Sequence, residues 1–270
     1  MILAWVFLLG LVVGSFLNVC IFRLPRGESL VRPGSHCPSC GRPIRPSDNL
    51  PLLSYLLLRG RCRFCGDSIS WRYPLVEAMT SLGFVLVVAR FGLTLPAFLH
   101  LLFFSALMVL AFIDLEHQIL PDAITLPGIP LGVAAAVFPL LASCLSGAEP
   151  GPLWPSLRPR LLSSLLGLLL GGGLFWLIAF LGQVLLKREA MGGGDIKLAA
   201  MIGAYLGWRL LLLTIFLAAF SGSLVGIFLL RLHLRGREEP IPFGPFLSLG
   251  AFLSMLGGDW VVGWYASFLR

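Results

Sequence analysis

Four cysteines stand in two knuckles of one spacing, Cys37-Pro38-Ser39-Cys40-Gly41 and Cys62-Arg63-Phe64-Cys65-Gly66, with 21 residues between the pairs. Two intervening residues let both thiolates of a knuckle reach one metal, and the glycine behind each pair permits the tight turn beneath it. Four thiolates at this spacing suit a tetrahedral zinc. Such a site has no open coordination position, so zinc here would staple the chain rather than catalyse. Two disulfides are the alternative, and they require an oxidising compartment. His36, beside Cys37, is a substitute ligand that four thiolates make unnecessary. Cys20 and Cys144 lie alone in apolar runs and read as small buried hydrophobes.

Two aspartates carry a second chemistry. Asp114 closes the run Ala111-Phe112-Ile113-Asp114, and Asp195 follows Gly192-Gly193-Gly194. Two carboxylates held near one another in a partly dehydrated setting do not easily both ionise. An ionised acid that activates water, paired with a protonated one that hydrogen-bonds a scissile carbonyl, is the equipment of an aspartic peptidase. The three glycines interrupt the helix and let a substrate backbone approach the acid. Ordinary boundary charges facing lipid headgroups are the other reading, and spacing alone leaves both open. Asp122, after Pro121, reads as a helix N-cap. Lys197 either neutralises Asp195 or meets lipid phosphate, and Glu116 and His117 read as solvated loop residues.

These residues need a membrane frame to position them. The 270-residue chain is 57% hydrophobic and 12% charged, with a mean hydropathy of +0.92. A soluble domain carries about 25% charged residues, so the composition excludes a water-soluble globular enzyme. Apolar runs predict about eight transmembrane helices, at about 2–22, 75–90, 96–113, 123–145, 161–186, 196–208, 210–230 and 243–268. The expected class is therefore an all-α polytopic membrane protein with a small zinc-stapled cytosolic loop domain. The first run lacks the basic start and short apolar core of a cleavable signal peptide, so it is expected to remain as a span. The sixth run, roughly 13 residues or about 20 Å of helix, is short for a hydrocarbon core of about 30 Å and brings Asp195 inside the boundary.

The parts read as a first helix over 1–22, a four-cysteine loop over 23–74 and a membrane bundle over 75–270. The loop carries arginine at 23, 26, 32, 42, 45, 59, 61, 63 and 72. The positive-inside rule puts it in the cytosol and the N-terminus outside. Following eight crossings, Lys187, Arg188, Lys197, Arg231, Arg235 and Arg237 also fall inside, and Arg90, Arg158, Arg160, Arg209 and Arg270 fall outside. The third span runs inward and the sixth outward, so Asp114 and Asp195 share one membrane depth in either orientation. Gly167 with Gly171, Gly203 with Gly207, and Gly222 with Gly226 are expected helix-packing faces. Residues 146–160, rich in Pro and Gly, are expected to form an external loop. The arginines follow the membrane bias without a groove-reading motif, so no nucleic-acid partner is expected.

The pattern resembles the type IV prepilin peptidases over nearly the whole chain. It is carried by Gly14-Ser15-Phe16-Leu17-Asn18, Arg23-Leu24-Pro25, the cysteine knuckles, Asn49-Leu50-Pro51, Trp71-Arg72-Tyr73-Pro74 and Glu77. Ile113-Asp114 with Pro121-Asp122, and Gly192-Gly193-Gly194-Asp195-Ile196-Lys197, complete it, the last fitting a G-x-G-D peptidase motif supported by Gly192, Gly194, Lys197 and Asp122. Two departures stand out: the x of that motif is itself glycine, and the stretch 146–160 is unusually long and proline-rich.

The resemblance implies that Asp114 and Asp195 are the catalytic pair of an aspartic endopeptidase in the bacterial inner membrane. It implies prepilin or pseudopilin substrates of type IV pilus and type II secretion systems, cut on the cytosolic side after the glycine that ends a basic leader. It further implies methylation of the new amine from S-adenosylmethionine, since bifunctional relatives carry the long cysteine loop. An α-amino group with a pKa of about 8 must lose its proton before it attacks a methyl, and Glu77 is a candidate to assist. The methyl-donor pocket is expected near Asn18, Arg23, Gly60, Arg61, Arg72 and Glu77. Arg61 and Arg72 meeting anionic lipid, and Asn18 satisfying backbone, are the plainer readings. A peptidase with a decayed methyltransferase, or a transporter or adaptor with a structural zinc loop, are the rival functions.

Overall fold

The computed structural model describes residues 1–145, 153–187, 191–232 and 241–268. All its long elements are helices: α1 (Ile2–Arg23), α2 (Leu53–Leu57), α3 (Arg72–Phe91), α4 (Leu95–His117), α5 (Asp122–Leu145), α6 (Leu153–Leu181), α7 (Gly193–Arg231) and α8 (Gly244–Phe268). Short 3-10 turns at Leu24–Arg26 and Pro46–Asn49 and a π-helical turn at Gly182–Leu186 complete the list. The only β pairings among the described residues are two isolated bridges in the cysteine loop, so the all-α class holds.

Among the described residues, six helical stretches are long and apolar enough to cross a membrane: Ile2–Arg26, Arg72–Phe91, Leu95–His117, Leu157–Leu185, Gly193–Arg231 and Gly244–Phe268. The expected count of eight is not confirmed: the expected sixth and seventh spans are two helices joined end to end in the 39-residue stretch α7. A straight helix of that length would run about 58 Å, nearly twice the hydrocarbon thickness. The element is instead broken at Gly207, whose φ of 78° and ψ of 168° lie outside the helical region. A β-carbon on Gly207 would also fall 2.3 Å from Ser163 Oγ, so the break needs glycine twice over.

The stretch expected as an external loop over 146–160 is helical from Leu153 onward, with Pro159 inside α6. Pro155 falls in the first turn, where its missing N–H would have no intrahelical partner. Residues 146–152 lie outside the described residues, as do Arg188, Arg235, Arg237 and Arg270 of the charge count and the side chain of Cys144.

The chain forms two compact units, Met1–Val109 and Leu110–Arg270. In the first, α1 packs on α3 through Gly10 and Gly14, where β-carbons would lie 2.5 Å from Ser81 Cα and 2.7 Å from Glu77 Cα. Such contact replaces the hydrophobic drive that lipid removes. In the second, Gly167 of α6 and Gly203 of α7 press backbone to backbone, and Ser164 Oγ donates to the Ala204 carbonyl at 2.6 Å. Gly171 meets Ala199 in the same seam. The Gly222 and Gly226 pair is different: β-carbons there would meet Phe246 and Ile241 at ordinary distances of 3.4 and 3.6 Å. That pair is not a close-packing face.

Candidate active site and metal centre

Asp114 lies in the last turn of α4, beside the fully buried Ile113, and is itself buried. The helix stops a few residues on, at Gln118 with φ of 53°. One oxygen of Asp114, Oδ2, accepts the Gly244 N–H at 2.9 Å in a buried hydrogen bond. Gly244 opens α8, and a β-carbon on it would fall 2.6 Å from that same Oδ2. Pro245 follows in the first turn of α8, where a residue without N–H is tolerated.

Asp195 lies in the first turn of α7, its N–H donating to the Gly192 carbonyl at 3.1 Å. Its Oδ1 is buried and has no hydrogen-bond partner. Gly194 admits the α4–α5 connection: its β-carbon would meet Leu120 Cβ at 2.8 Å. That contact joins the end of α4 to the start of α7, and Asp195 stands within electrostatic reach of Asp114. Gly192 borders the Asp195 carboxylate, where a β-carbon would stand 3.5 Å from Oδ2.

Lys197 does not neutralise Asp195. Its Nζ donates to both carboxylate oxygens of Asp122, at 2.6 and 2.8 Å. Asp122 is likewise not the N-cap: Pro121 supplies the carbonyl that accepts the Ile124 and Thr125 N–H groups, and Asp122 is the first helical residue. The reason is the pair itself, since a carboxylate turned toward Lys197 is not folded back over its own helix end.

The sulfurs of Cys37, Cys40, Cys62 and Cys65 all lie within 4.8 Å of one another. Cys37 Sγ and Cys65 Sγ are 3.9 Å apart, against about 3.8 Å for the edge of a tetrahedron with zinc–sulfur bonds of about 2.3 Å. The four thiols can hold a metal ion. Both knuckles are built alike: Cys37 N–H donates to the Arg42 carbonyl and Gly41 N–H to Cys37, while Cys62 N–H donates to Asp67 and Gly66 N–H to Cys62. Gly41 and Gly66 take φ of 69° and 73°, the left-handed turn that favours glycine.

The Cys65 and Phe64 N–H groups lower the Cys62 thiol to about 7, while the neighbouring thiols push Cys65 up to about 12, so the cluster shares its protons among the four sulfurs. Ser39 donates to Asp67, tying one knuckle to the other and holding the Asp67 carboxyl below its usual range. Arg63 forks onto Asp48 at 2.8 and 2.7 Å and lowers that carboxyl also. His36 lies outside the sulfur cluster, its Nδ1 3.0 Å from the Gly34 carbonyl.

The six residues expected near a methyl donor divide. Asn18 and Glu77 are buried in the α1–α3 seam; Asn18 Nδ2 donates to the Tyr73 carbonyl at 3.0 Å, and its Oδ1 is buried without a partner. Glu77 Oε2 accepts the Leu52 N–H at 2.8 Å. Arg23 is also buried, but its guanidinium is committed to the Ser29, Pro33 and Gly34 carbonyls. It clamps the start of the loop. Gly60, with φ of 67°, backs onto the Tyr55 hydroxyl. Arg61 is exposed and bridges Ser68 through its backbone, and the Arg72 guanidinium lies 4.9 Å from the Tyr73 ring centre.

Residues 8–91 match the bacterial peptidase A24 N-terminal domain, and residues 101–227 match the type IV leader peptidase family. A curated protein of Pseudomonas aeruginosa, a prepilin leader peptidase/N-methyltransferase, is 39% identical over 97% of this chain and 92% of its own length. This chain belongs to the type IV leader peptidase family. Two further members under the same name, from Myxococcus xanthus and Pseudomonas putida, are 45% and 37% identical. The first aligns over 87% of this chain and 65% of its own length, the second over 93% and 89%. No solved structure matches the chain.

Within this leader peptidase family member, both aspartates fall in the stretch matched to the family and all four cysteines in the N-terminal match. Gly244 is the site residue that the sequence reading missed. Its only local signal is a Gly-Pro step opening an apolar run, which marks a helix start but not an acid 130 residues away.

Proposed function

We propose that this chain removes the basic leader of type IV prepilins or pseudopilins and then methylates the newly exposed amine, as its relatives' name describes for them. The observation that carries the reading is a pair of acids in one unit: Asp114, held by Gly244, and Asp195, whose buried Oδ1 has no partner. One carboxylate takes a proton from water as it attacks the scissile carbonyl, while the other, protonated, donates to the carbonyl oxygen. The Gly244 N–H fixes one oxygen of Asp114 and so aims the second. Gly192, which borders only the Asp195 carboxylate, leaves room for an extended peptide beside it, and the Lys197–Asp122 pair keeps an ammonium from quenching the dyad.

The arginine bias supports an N-terminus outside the bacterial inner membrane and a cytosolic loop 23–74. On that side the four thiols would hold zinc as a closed structural centre. S-adenosylmethionine, when bound, supplies an electrophilic sulfonium methyl. Asn18 Oδ1 would accept a hydrogen bond from a bound amine, and Glu77 would accept the proton of the substrate amine; Arg23, already committed, shapes the loop instead. The division into helix 1–22, loop 23–74 and bundle 75–270 assigns methyl transfer to the loop with the first spans, and cleavage to the bundle.

The test is mass spectrometry of a prepilin-type substrate incubated with the purified protein, with and without S-adenosylmethionine. Leader loss in both reactions, with one added methyl only when the donor is present, is expected. Cleavage without methylation would remove the second activity, and no cleavage of an authentic substrate would favour a transporter or adaptor.

A further inference from the structure

The cysteine loop is polar and arginine-rich, yet it turns a row of leucines outward. In α2, Leu53, Leu56 and Leu57 are 57%, 72% and 72% exposed, and Trp71, just before α3, is 69% exposed. The three leucines stand at i, i+3 and i+4, one face of the helix. The opposite face is tied down: Ser54 is buried, accepts the Leu50 N–H at 2.9 Å and donates to the Ser47 carbonyl at 3.1 Å. A contiguous apolar row of this kind in water marks a surface meant to be covered.

Its level relative to the bilayer follows from one tether. Leu52 takes φ of 59°, a left-handed conformation that costs a leucine energy, and its N–H is held by Glu77 Oε2. Glu77 lies five residues into α3, about 7.5 Å along a helix that enters the membrane from Arg72. The strained turn thus pins α2 at the depth where α3 enters lipid. Apolar exposure continues along α3 at Met79 and Leu82. The charge suits an anionic surface: the loop holds nine arginines against three carboxylates, of which Asp48 and Asp67 are already engaged. Arg59 and Arg61, both exposed, follow the leucine face directly.

We propose that α2 lies in the headgroup–acyl boundary of an anionic bilayer, with Leu53, Leu56, Leu57 and Trp71 in the lipid and Arg59 and Arg61 at the phosphates. The metal loop then rests on the membrane rather than standing off it. Apolar area gives the binding and the arginines add attraction to acidic lipid. The proposal does not depend on which reaction the chain catalyses.

The test places a nitroxide at Leu56, through an unnatural amino acid that spares the cysteines, in the full metal-loaded chain. The protein is held in nanodiscs of phosphatidylethanolamine and phosphatidylglycerol, and a label at the exposed Ser68 serves as reference. The Leu56 label should collide more with oxygen than with a water-soluble nickel chelate, and the Ser68 label the reverse. A label at Leu57 should repeat the Leu56 result. Equal nickel exposure at Leu56 and Ser68 would overturn the proposal. So would protection of Leu56 that appears only after a prepilin-type peptide is added, because the face would then be a substrate dock.

Discussion

Asp114 and Gly244 are matched to within the size of a methyl group: the N–H that holds the carboxylate sits where a β-carbon would lie 2.6 Å from the same oxygen. Gly244→Ala must therefore displace the carboxylate it now aligns. We expect kcat for leader cleavage to fall at least about tenfold, or about 1.4 kcal/mol of barrier, with KM and metal content little changed. A rise in KM alone would mean that Gly244 shapes the substrate groove instead. Asp195, a carboxylate behind three glycines, is chemically conspicuous in the sequence, but spacing alone left a boundary charge equally open, and the family resemblance paired it with Asp114. The Lys197–Asp122 pair was not legible, because it joins residues 75 positions apart whose meeting is set by how α5 packs on α7. Local spacing offered Lys197 only its near neighbour Asp195.

At the scale of elements, the cysteine loop was the most legible part, since each knuckle is complete within a few residues and repeats its own hydrogen bonds. Nothing in 23–74 offers a comparable staple, and small polar segments need one. Cys37→Ser should lower bound zinc from one equivalent per chain toward zero and destabilise the loop, read by metal analysis and by proteolysis within 23–74. Unchanged metal content would refute the four-thiolate site. The helices of the second unit were less legible. An apolar run shows where a helix can be buried, but not that two such helices join at a kink on Gly207, because the kink depends on φ and on Ser163 of a neighbouring helix. The start of α6 was hidden because prolines signal a loop in sequence, yet Pro155 falls in the first helical turn, where it costs little, and Pro159 is carried inside the helix.

At the scale of the whole molecule, the account gives each unit its own chemistry. The first holds four thiols that can take a metal and a buried Asn18–Glu77 seam. The second holds the acids, with Leu120 packed against Gly194 beside Asp195. Class and cysteine loop follow from composition and cysteine spacing, whereas the residue that holds Asp114, Gly244, emerges only from tertiary packing. The central claim is that Asp114 and Asp195 act together. The most direct measurement is leader cleavage by Asp114→Asn and Asp195→Asn beside the unaltered protein, all purified with equal metal content and equal thermal stability. Each variant should lose cleavage by at least about 1000-fold while still methylating a pre-cleaved substrate. Cleavage persisting in either variant would contradict the dyad.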